Sequence, residues 1–363
     1  MTRTATTPTN TPANTPAAAL LDKVVDKVLR AYGLEYSRIL APQKGYRNQS
    51  FPVVLASGEM RNLILYKREP GITARIKAAN TVSDFLAGQG FPARQTADER
   101  IIKLDPGHGR PAKYGALYTY LDGHTIPWEA YTQDHLKALG EMMGNMHAAL
   151  AAFPADEASQ LPAATDEYLA IVSRMKHYFN EAPVQRALSQ KLQLAMVLPR
   201  LEYFEQLLRG ITILPGQQAL HMDFVRGNIL FAEAGLSESG PSATESEPRI
   251  SGILDFEKTA YGHPLLDIAR TLAFLCVDCK YKPEEKVRKY FLGSGYAKRG
   301  GAPLPARLST TLLDPLVEFF LSYDFYKFLR HNPYEFLHQN EHFTRTRDML
   351  MTRGVVTSST SVA

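Results

Sequence analysis

Only two cysteines stand in a chain of 363 residues. That scarcity excludes a disulfide framework and any four-thiolate metal site. No apolar run reaches the roughly 18 residues a membrane-spanning helix needs, so no membrane partner is expected. No charge sign dominates either: 41 Lys and Arg face 37 Asp and Glu, a net charge of +4. A dedicated nucleic-acid binder carries a clustered basic face, so no nucleic-acid partner is expected. What the chain does have is apolar side chain, 45% hydrophobic against 21% charged, enough to bury a large core and to exclude disorder of the whole. At roughly 150 residues per domain, two or three compact units are allowed. These bounds describe a large enzyme, expected in the cytoplasm.

Organisation follows from periodicity. Residues 1–16 are almost all Thr, Pro, Ala and Asn, without apolar spacing, and read as a disordered tail. The segment lacks the apolar centre of a signal peptide, and its single Arg3 is too few for a transit peptide. Leu20, Leu21, Val24, Val25, Val28 and Leu29 then recur at helical spacing, up to about Tyr32. The apolar runs 50–55 (SFPVVL) and 62–67 (NLILYK) flank a short turn containing Gly58 and predict a β-hairpin. A helix is expected over 73–87, stopped by Gly88 and Gly90, with strands at 101–104 and 114–121. Beyond Asp122-Gly123 the pattern is helical, near 136–150, 165–180, 184–209, 264–277, 282–293 and 310–330. Strand-like runs at 219–231 and 249–256 interrupt it, and the Ser/Glu/Pro-rich stretch 234–247 reads as a solvated loop. The expected fold class is α+β. Residues 17–122 form a small antiparallel-sheet lobe, 123–130 a hinge, 131–350 a larger, mainly helical lobe and 351–363 a disordered tail.

The chemistry lies in the second lobe. His221-Met222-Asp223-Phe224-Val225-Arg226-Gly227-Asn228 occupies a loop between apolar runs. Asp223 can accept a hydroxyl proton, while the amide oxygen of Asn228 suits a hard cation. Further on, the apolar run Ile250 to Leu254 delivers Asp255, followed by Phe256 and Glu257, as a metal ligand is delivered. Either motif alone is compatible with an ordinary polar turn; their order and spacing together point to phosphoryl transfer.

These motifs resemble those of the aminoglycoside phosphotransferase and choline kinase group of small-molecule kinases, relatives in fold of the protein kinases. The later run Gly262-His263-Pro264-Leu265-Leu266-Asp267-Ile268-Ala269 is similar to that group's Gly-x-Pro-x-x-Asp segment. The resemblance implies a two-lobed, protein-kinase-like fold with ATP in the cleft, and Mg2+ held by Asn228 and Asp255. Asp223 is then the catalytic base toward a small-molecule hydroxyl acceptor. Asp267 is implied as a buttress of the catalytic loop, and His147 as a packed, hydrogen-bonded histidine of the group's Leu-His-Ala helix. On the nucleotide side it implies Lys67 as the phosphate-binding cation, with neighbouring Arg68 as the alternative. A phosphate-covering turn is implied around Gly45, Asn48 and Ser50, and Thr119, Tyr120 and Leu121 are implied at the adenine hinge.

Two departures stand out. The helix expected after Lys67 carries no Glu to pair with that lysine, only Asp84. This motivates a competing reading, a catalytically weakened nucleotide- or metabolite-binding protein. Met222 also stands where the group has Gly. For the acceptor, many in the group being cationic, acids and aromatics are the expected lining. Glu318, Tyr323, Asp324 and Tyr326 offer both, but the stretch reads first as a core helix with its Phe and Tyr residues buried. Glu257 can reach metal or substrate. Cys276 and Cys279 match C-x-x-C inside a helical pattern and read as ordinary helix residues.

Overall fold

The structure is a computed structural model that describes residues 16–44, 48–105, 112–127, 130–232, 248–298 and 309–359. The expected 1–16 tail, apart from residue 16, together with Gly45 and the 234–247 loop, lies outside the described residues. The chain divides into two compact units, Met1–Thr73 with Gln95–Tyr120, and Ala74–Arg94 with Leu121–Ala363.

In the first unit the helix α1 (Pro16–Ala31) precedes the strands β1 (Tyr36–Ile39), β2 (Gln43–Lys44), β3 (Gln49–Leu55), β4 (Met60–Tyr66), β5 (Thr96–Leu104) and β6 (Lys113–Thr119). The sheet order is β1-β3-β4-β6-β5, with β2 beside β3, and the pairings are antiparallel. The expected hairpin is β3–β4, closed by Gly58 at φ 87°, a conformation open to glycine without steric penalty. Strand alternation puts Phe51, Val53, Leu63 and Leu65 on one face, where they form a core with Val25, Val28 and Leu29 of α1. The contact is close enough that a Cβ on Gly115 would stand 3.1 Å from Val28 Cγ1.

Helix α2 (Ile72–Gly88) matches the expected helix, yet from Ala74 onward it belongs to the second unit. Ala79, Val82 and Leu86 are part of that unit's apolar core, which corrects the expected 17–122 lobe. The second unit continues with α3 (Gln133–Leu150) and the long helices Ala164–Asn180, Leu198–Thr212, Pro264–Asp278, Asp314–His331 and Glu341–Thr352. The single helix expected over 184–209 is broken. Its place is taken by a short helix, a turn ending at Gln193 (φ 55°), strand β7 (Leu194–Met196) and a new helix with Pro199 in its first turn. Proline lacks the N–H that an interior helix position needs but suits a helix start.

Four further pieces position the site. Strands β8 (Gln218–Leu220), β9 (Ile229–Phe231), β10 (Ile250–Ile253) and β11 (Ala260–Gly262) form two ladders, β8 with β11 and β9 with β10. The expected 351–363 tail is corrected over 351–359; residues 360–363 lie outside the described residues. The helix runs to Thr352 and β12 (Val356–Ser358) pairs with β7, while Val355 and Val356 are buried. Burying two valines while completing a ladder outweighs the chain entropy of ordering a few residues. Among the described residues no helix is long and apolar enough to cross a membrane.

Candidate active site

The two ladders explain why distant sequence motifs meet. The loop His221 to Asn228 joins β8 to β9, and the turn Leu254 to Thr259 joins β10 to β11. Because β8 pairs with β11 and β9 with β10, the two connections lie side by side. They are stitched directly: Leu254 N–H donates to Asn228 O at 2.8 Å, and His221 Nε2 donates to Leu254 O at 3.1 Å. His221 Nδ1 in turn accepts the Asp223 N–H at 3.1 Å. One donor and one acceptor are required of the same ring, so the network assigns neutral imidazole protonated at Nε2. Burial depresses its pKa in the same sense.

Asp267, fully buried on the Pro264–Asp278 helix, fastens the loop from beneath. Its two oxygens accept the N–H groups of His221 at 3.0 Å and Met222 at 3.1 Å. Burial raises a carboxyl pKa, but the His147 hydrogen bond and charge, with His221, hold Asp267 below its usual range. His147 Nε2 lies 3.3 Å from Asp267 and its Nδ1 lies 2.9 Å from Tyr296 Oη. Met222 adopts φ 59°, left-handed backbone that glycine takes freely and a longer side chain takes under strain. The Asp267 clamp on its N–H holds it there.

Asp223 is almost completely buried, at 5% exposure. Arg270 donates to its Oδ1 and Lys258 to its Oδ2, each at 2.7 Å. Burial pushes its carboxyl up, but the Arg270 and Lys258 charges and hydrogen bonds outweigh it and hold Asp223 far below the usual carboxylate range. The Asn228 amide donates to Asp223 O at 2.9 Å, which leaves its Oδ1 as the acceptor end.

Asp255 opens the adjacent turn at φ 57°. Its carboxyl is raised, first by burial and then by the charge and hydrogen bond of Glu257. Glu257 is itself paired with Arg94 Nη1 at 2.8 Å. That arginine ends the segment whose Ala93 bridges to Ile253 of β10. Among the described residues no three His, Cys, Asp or Glu side chains form a self-contained metal cage. Asn228 and Asp255 could instead offer a few hard oxygens, with the rest of a coordination shell left to water and phosphate. That donor set suits Mg2+, which keeps waters and takes phosphate oxygens, and a divalent charge would relieve the repulsion between Asp255 and Glu257.

In the first unit Lys67 directly follows β4, and its N–H donates to Asn48 Oδ1 at 3.2 Å, bringing two of the expected nucleotide residues together. Ser50 is turned elsewhere, donating to Asn62 Oδ1 at 2.6 Å. Lys67 is exposed and Arg68 half-buried. Thr119 closes β6, donating its N–H to Gln95 O at 2.9 Å, and the boundary between the units falls between Tyr120 and Leu121. Gly45 falls outside the described residues.

The expected acceptor stretch is mostly committed elsewhere. Tyr326 packs on Tyr178 and Phe179, and Glu318 lies 3.6 Å from Arg200. Asp324 is bonded by Lys327 and His342, each at 2.8 Å. Both cysteines are buried, Cys276 within the Pro264–Asp278 helix and Cys279 just past its end, and burial pushes their thiols up, the state of packed, unreactive thiols. Reading by motif missed Arg270, Lys258 and Arg94. Arg270 lies one helical turn beyond Asp267, a spacing that does flag it; Arg94 and Glu257 carry no common pattern.

Comparison with known proteins agrees with this geometry. Residues 39–297 match the phosphotransferase enzyme family, the greater part of the chain. A hydroxylysine kinase of Danio rerio is 25% identical over 265 residues, covering 69% of this chain and 68% of that protein. A hydroxylysine kinase of Mus musculus is 24% identical over 272 residues, covering 68% and 66%. The chain therefore spans about two thirds of each. Among solved structures, an amicoumacin kinase in complex with AMP-PNP, Ca2+ and Ami superposes with a TM-score of 0.65 at 13% identity. The match covers 93% of this chain and 96% of that one. At that identity the likeness establishes the fold, protein-kinase-like α+β.

Proposed function

Because the chain belongs to the phosphotransferase enzyme family, we propose that it transfers the γ-phosphate of ATP to a hydroxyl group of a small molecule, with Mg2+. The observation that carries this reading is the junction of two loops through Leu254 N–H and Asn228 O. It brings the loop carrying Asp223, whose carboxyl is held far below the usual range, alongside the turn carrying Asp255, and so supports reading Asn228 and Asp255 as the cation ligands.

In this mechanism Asp223 orients the acceptor hydroxyl and takes its proton late. A carboxylate held so far below its usual range is a weak base, and a loose, dissociative transition state asks little basicity of it. Both its oxygens are engaged by Arg270 and Lys258, so the acceptor hydroxyl shares or displaces one contact. Lys258 is the more exposed, at 36% against 5%, and yields more readily. Asn228 and Asp255 would hold a divalent cation, which would supply positive charge against the β- and γ-phosphates. Arg94 keeps Glu257 oriented beside Asp255. We assign Lys67 to phosphate oxygens, with Asn48 steadying its backbone, Gly45 and Asn48 to the covering turn, and Thr119, Tyr120 and Leu121 to adenine; Ser50, bonded to Asn62, is not assigned to that turn. Most of the rate acceleration then comes from position and electrostatics.

The test is a screen for Mg·ATP-dependent phosphorylation across amino alcohols, hydroxy amino acids, aminoglycosides and sugars. The names of the Danio rerio and Mus musculus relatives put hydroxylysine first. Nucleotide binding without transfer to any acceptor would support the competing reading of a kinase-like binding protein.

A further inference from the structure

Three helices bring basic side chains to one aromatic ring. On the Pro264–Asp278 helix, Arg270, Phe274 and Asp278 recur every fourth residue and share a face. Phe274 alone of these is partly exposed. The Arg270 guanidinium carbon lies 5.2 Å from its ring centroid. Lys327 Nζ, from the Asp314–His331 helix, lies 5.8 Å from it and 5.0 Å from the Tyr323 ring. The His342 ring, from the Glu341–Thr352 helix, is 6.1 Å away. Burial lowers the His342 pKa, but hydrogen bonds and charge from Asp278 and Asp324 win and push it up to about 9, so it is a cation at neutral pH.

The acids in this strip are already divided. Asp223 is shared by Arg270 and Lys258, Asp324 by Lys327 and His342. Asp278 is shared by His342 and by Arg226 of the catalytic loop, each at 3.6 Å. Each of these three carboxylates is shared between two basic side chains, five in all, with Asp255 the further acid acting on Lys258, so no basic group here has a carboxylate to itself. Arg270 Nε, buried, has no hydrogen-bond partner among the described residues. Lys327, with 37% of its side chain exposed, bonds a single carboxylate and retains N–H donors. Like charges gathered in low dielectric repel, and an arriving anion relieves them. A polycation is repelled by the same field.

Resting on the kinase reading above, we propose that this strip binds a carboxylate of the acceptor. Lys327 pairs with that carboxylate, and the acceptor's carbon chain lies on Phe274, so its hydroxyl is carried toward Asp223. The substrate class is then short hydroxy acids, hydroxy amino acids among them, and excludes polyamino sugars.

Matched acceptors test this on the full-length protein: hydroxylysine and homoserine, each beside its decarboxylated amino alcohol, with ADP release as readout. A charge-assisted contact predicts kcat/KM about 10- to 100-fold higher for the carboxylate-bearing member of a pair. Lys327→Gln should erase most of that preference through acceptor KM, leaving the nucleotide KM within about twofold. Lys327→Arg should restore much of it. Equal turnover of both members, an unchanged preference in Lys327→Gln, or transfer only to carboxylate-free acceptors overturns the proposal while the kinase reading stands. Absence of transfer to every acceptor, aminoglycosides and sugars included, overturns the kinase reading and this proposal with it.

Discussion

Arg270 Nη2 stands 2.7 Å from Asp223 Oδ1, deep on a buried helix, so the charge of the proposed base is set by a residue of another element. The same helix, three residues earlier, pins the loop backbone through Asp267. One helix therefore fixes both the position and the ionisation of Asp223.

Asp223→Asn should reduce phosphate transfer by about 10²- to 10⁴-fold while nucleotide affinity, measured by calorimetry, changes little. Turnover near the wild-type value would remove Asp223 from the role of base. Thermal unfolding belongs in the same experiment, since the substitution leaves Arg270 without its carboxylate.

Arg270→Met breaks a buried pair and should destabilise the protein by about 3–5 kcal/mol, read by denaturant unfolding. Asp223, with its folded pKa depressed, contributes stability above its unfolded pKa of about 3.9 that is lost as pH falls. Without Arg270 that contribution shrinks, and the acid limb of the rate profile moves to higher pH. An acid limb that stays in place would contradict the coupling.

Asn228→Ala should raise the Mg2+ concentration at half-maximal rate, with activity recovering in part at high Mg2+. Asp255→Asn removes a charged ligand and should lower the rate at every Mg2+ concentration, by about 10²-fold or more. A Mg2+ titration superimposable on wild type would exclude Asn228 as a ligand.

His342, raised to about 9 in the folded protein, carries the opposite sign. Its stabilisation is fully present below the unfolded pKa of about 6.5 and is lost as pH rises through about 9. The stability gap between wild type and His342→Gln should therefore reach up to about 3 kcal/mol below pH ~6 and close in alkali. A gap independent of pH would show that His342 acts by packing alone.

Val356, 1% exposed, tests the C-terminal strand. Val356→Ala should lower stability by about 1–3 kcal/mol; a disordered tail would give no change in the denaturation midpoint.

The β3–β4 hairpin and the loops carrying the proposed chemistry were legible in the chain because their causes are local. The β3–β4 hairpin follows from period-two runs around Gly58, and His221 to Asn228 announces itself because its donors and acceptors sit within a few residues. The pairing of β7 with β12 was hidden, since a three-residue strand has no periodicity until a partner far along the chain completes it. Likewise a charged residue read alone does not say which opposite charge it will meet. The 318–334 stretch reads as a core helix, which it is as far as His331, but nothing in the sequence pairs Asp324 with His342, Arg94 with Glu257 or Arg270 with Asp223. Folding decided those pairs, because burial makes an unpaired charge so unfavourable that each must find a counter-charge, whatever the distance along the chain. Those pairings hold the Asp223 carboxyl below its usual range and gather basic side chains around Phe274.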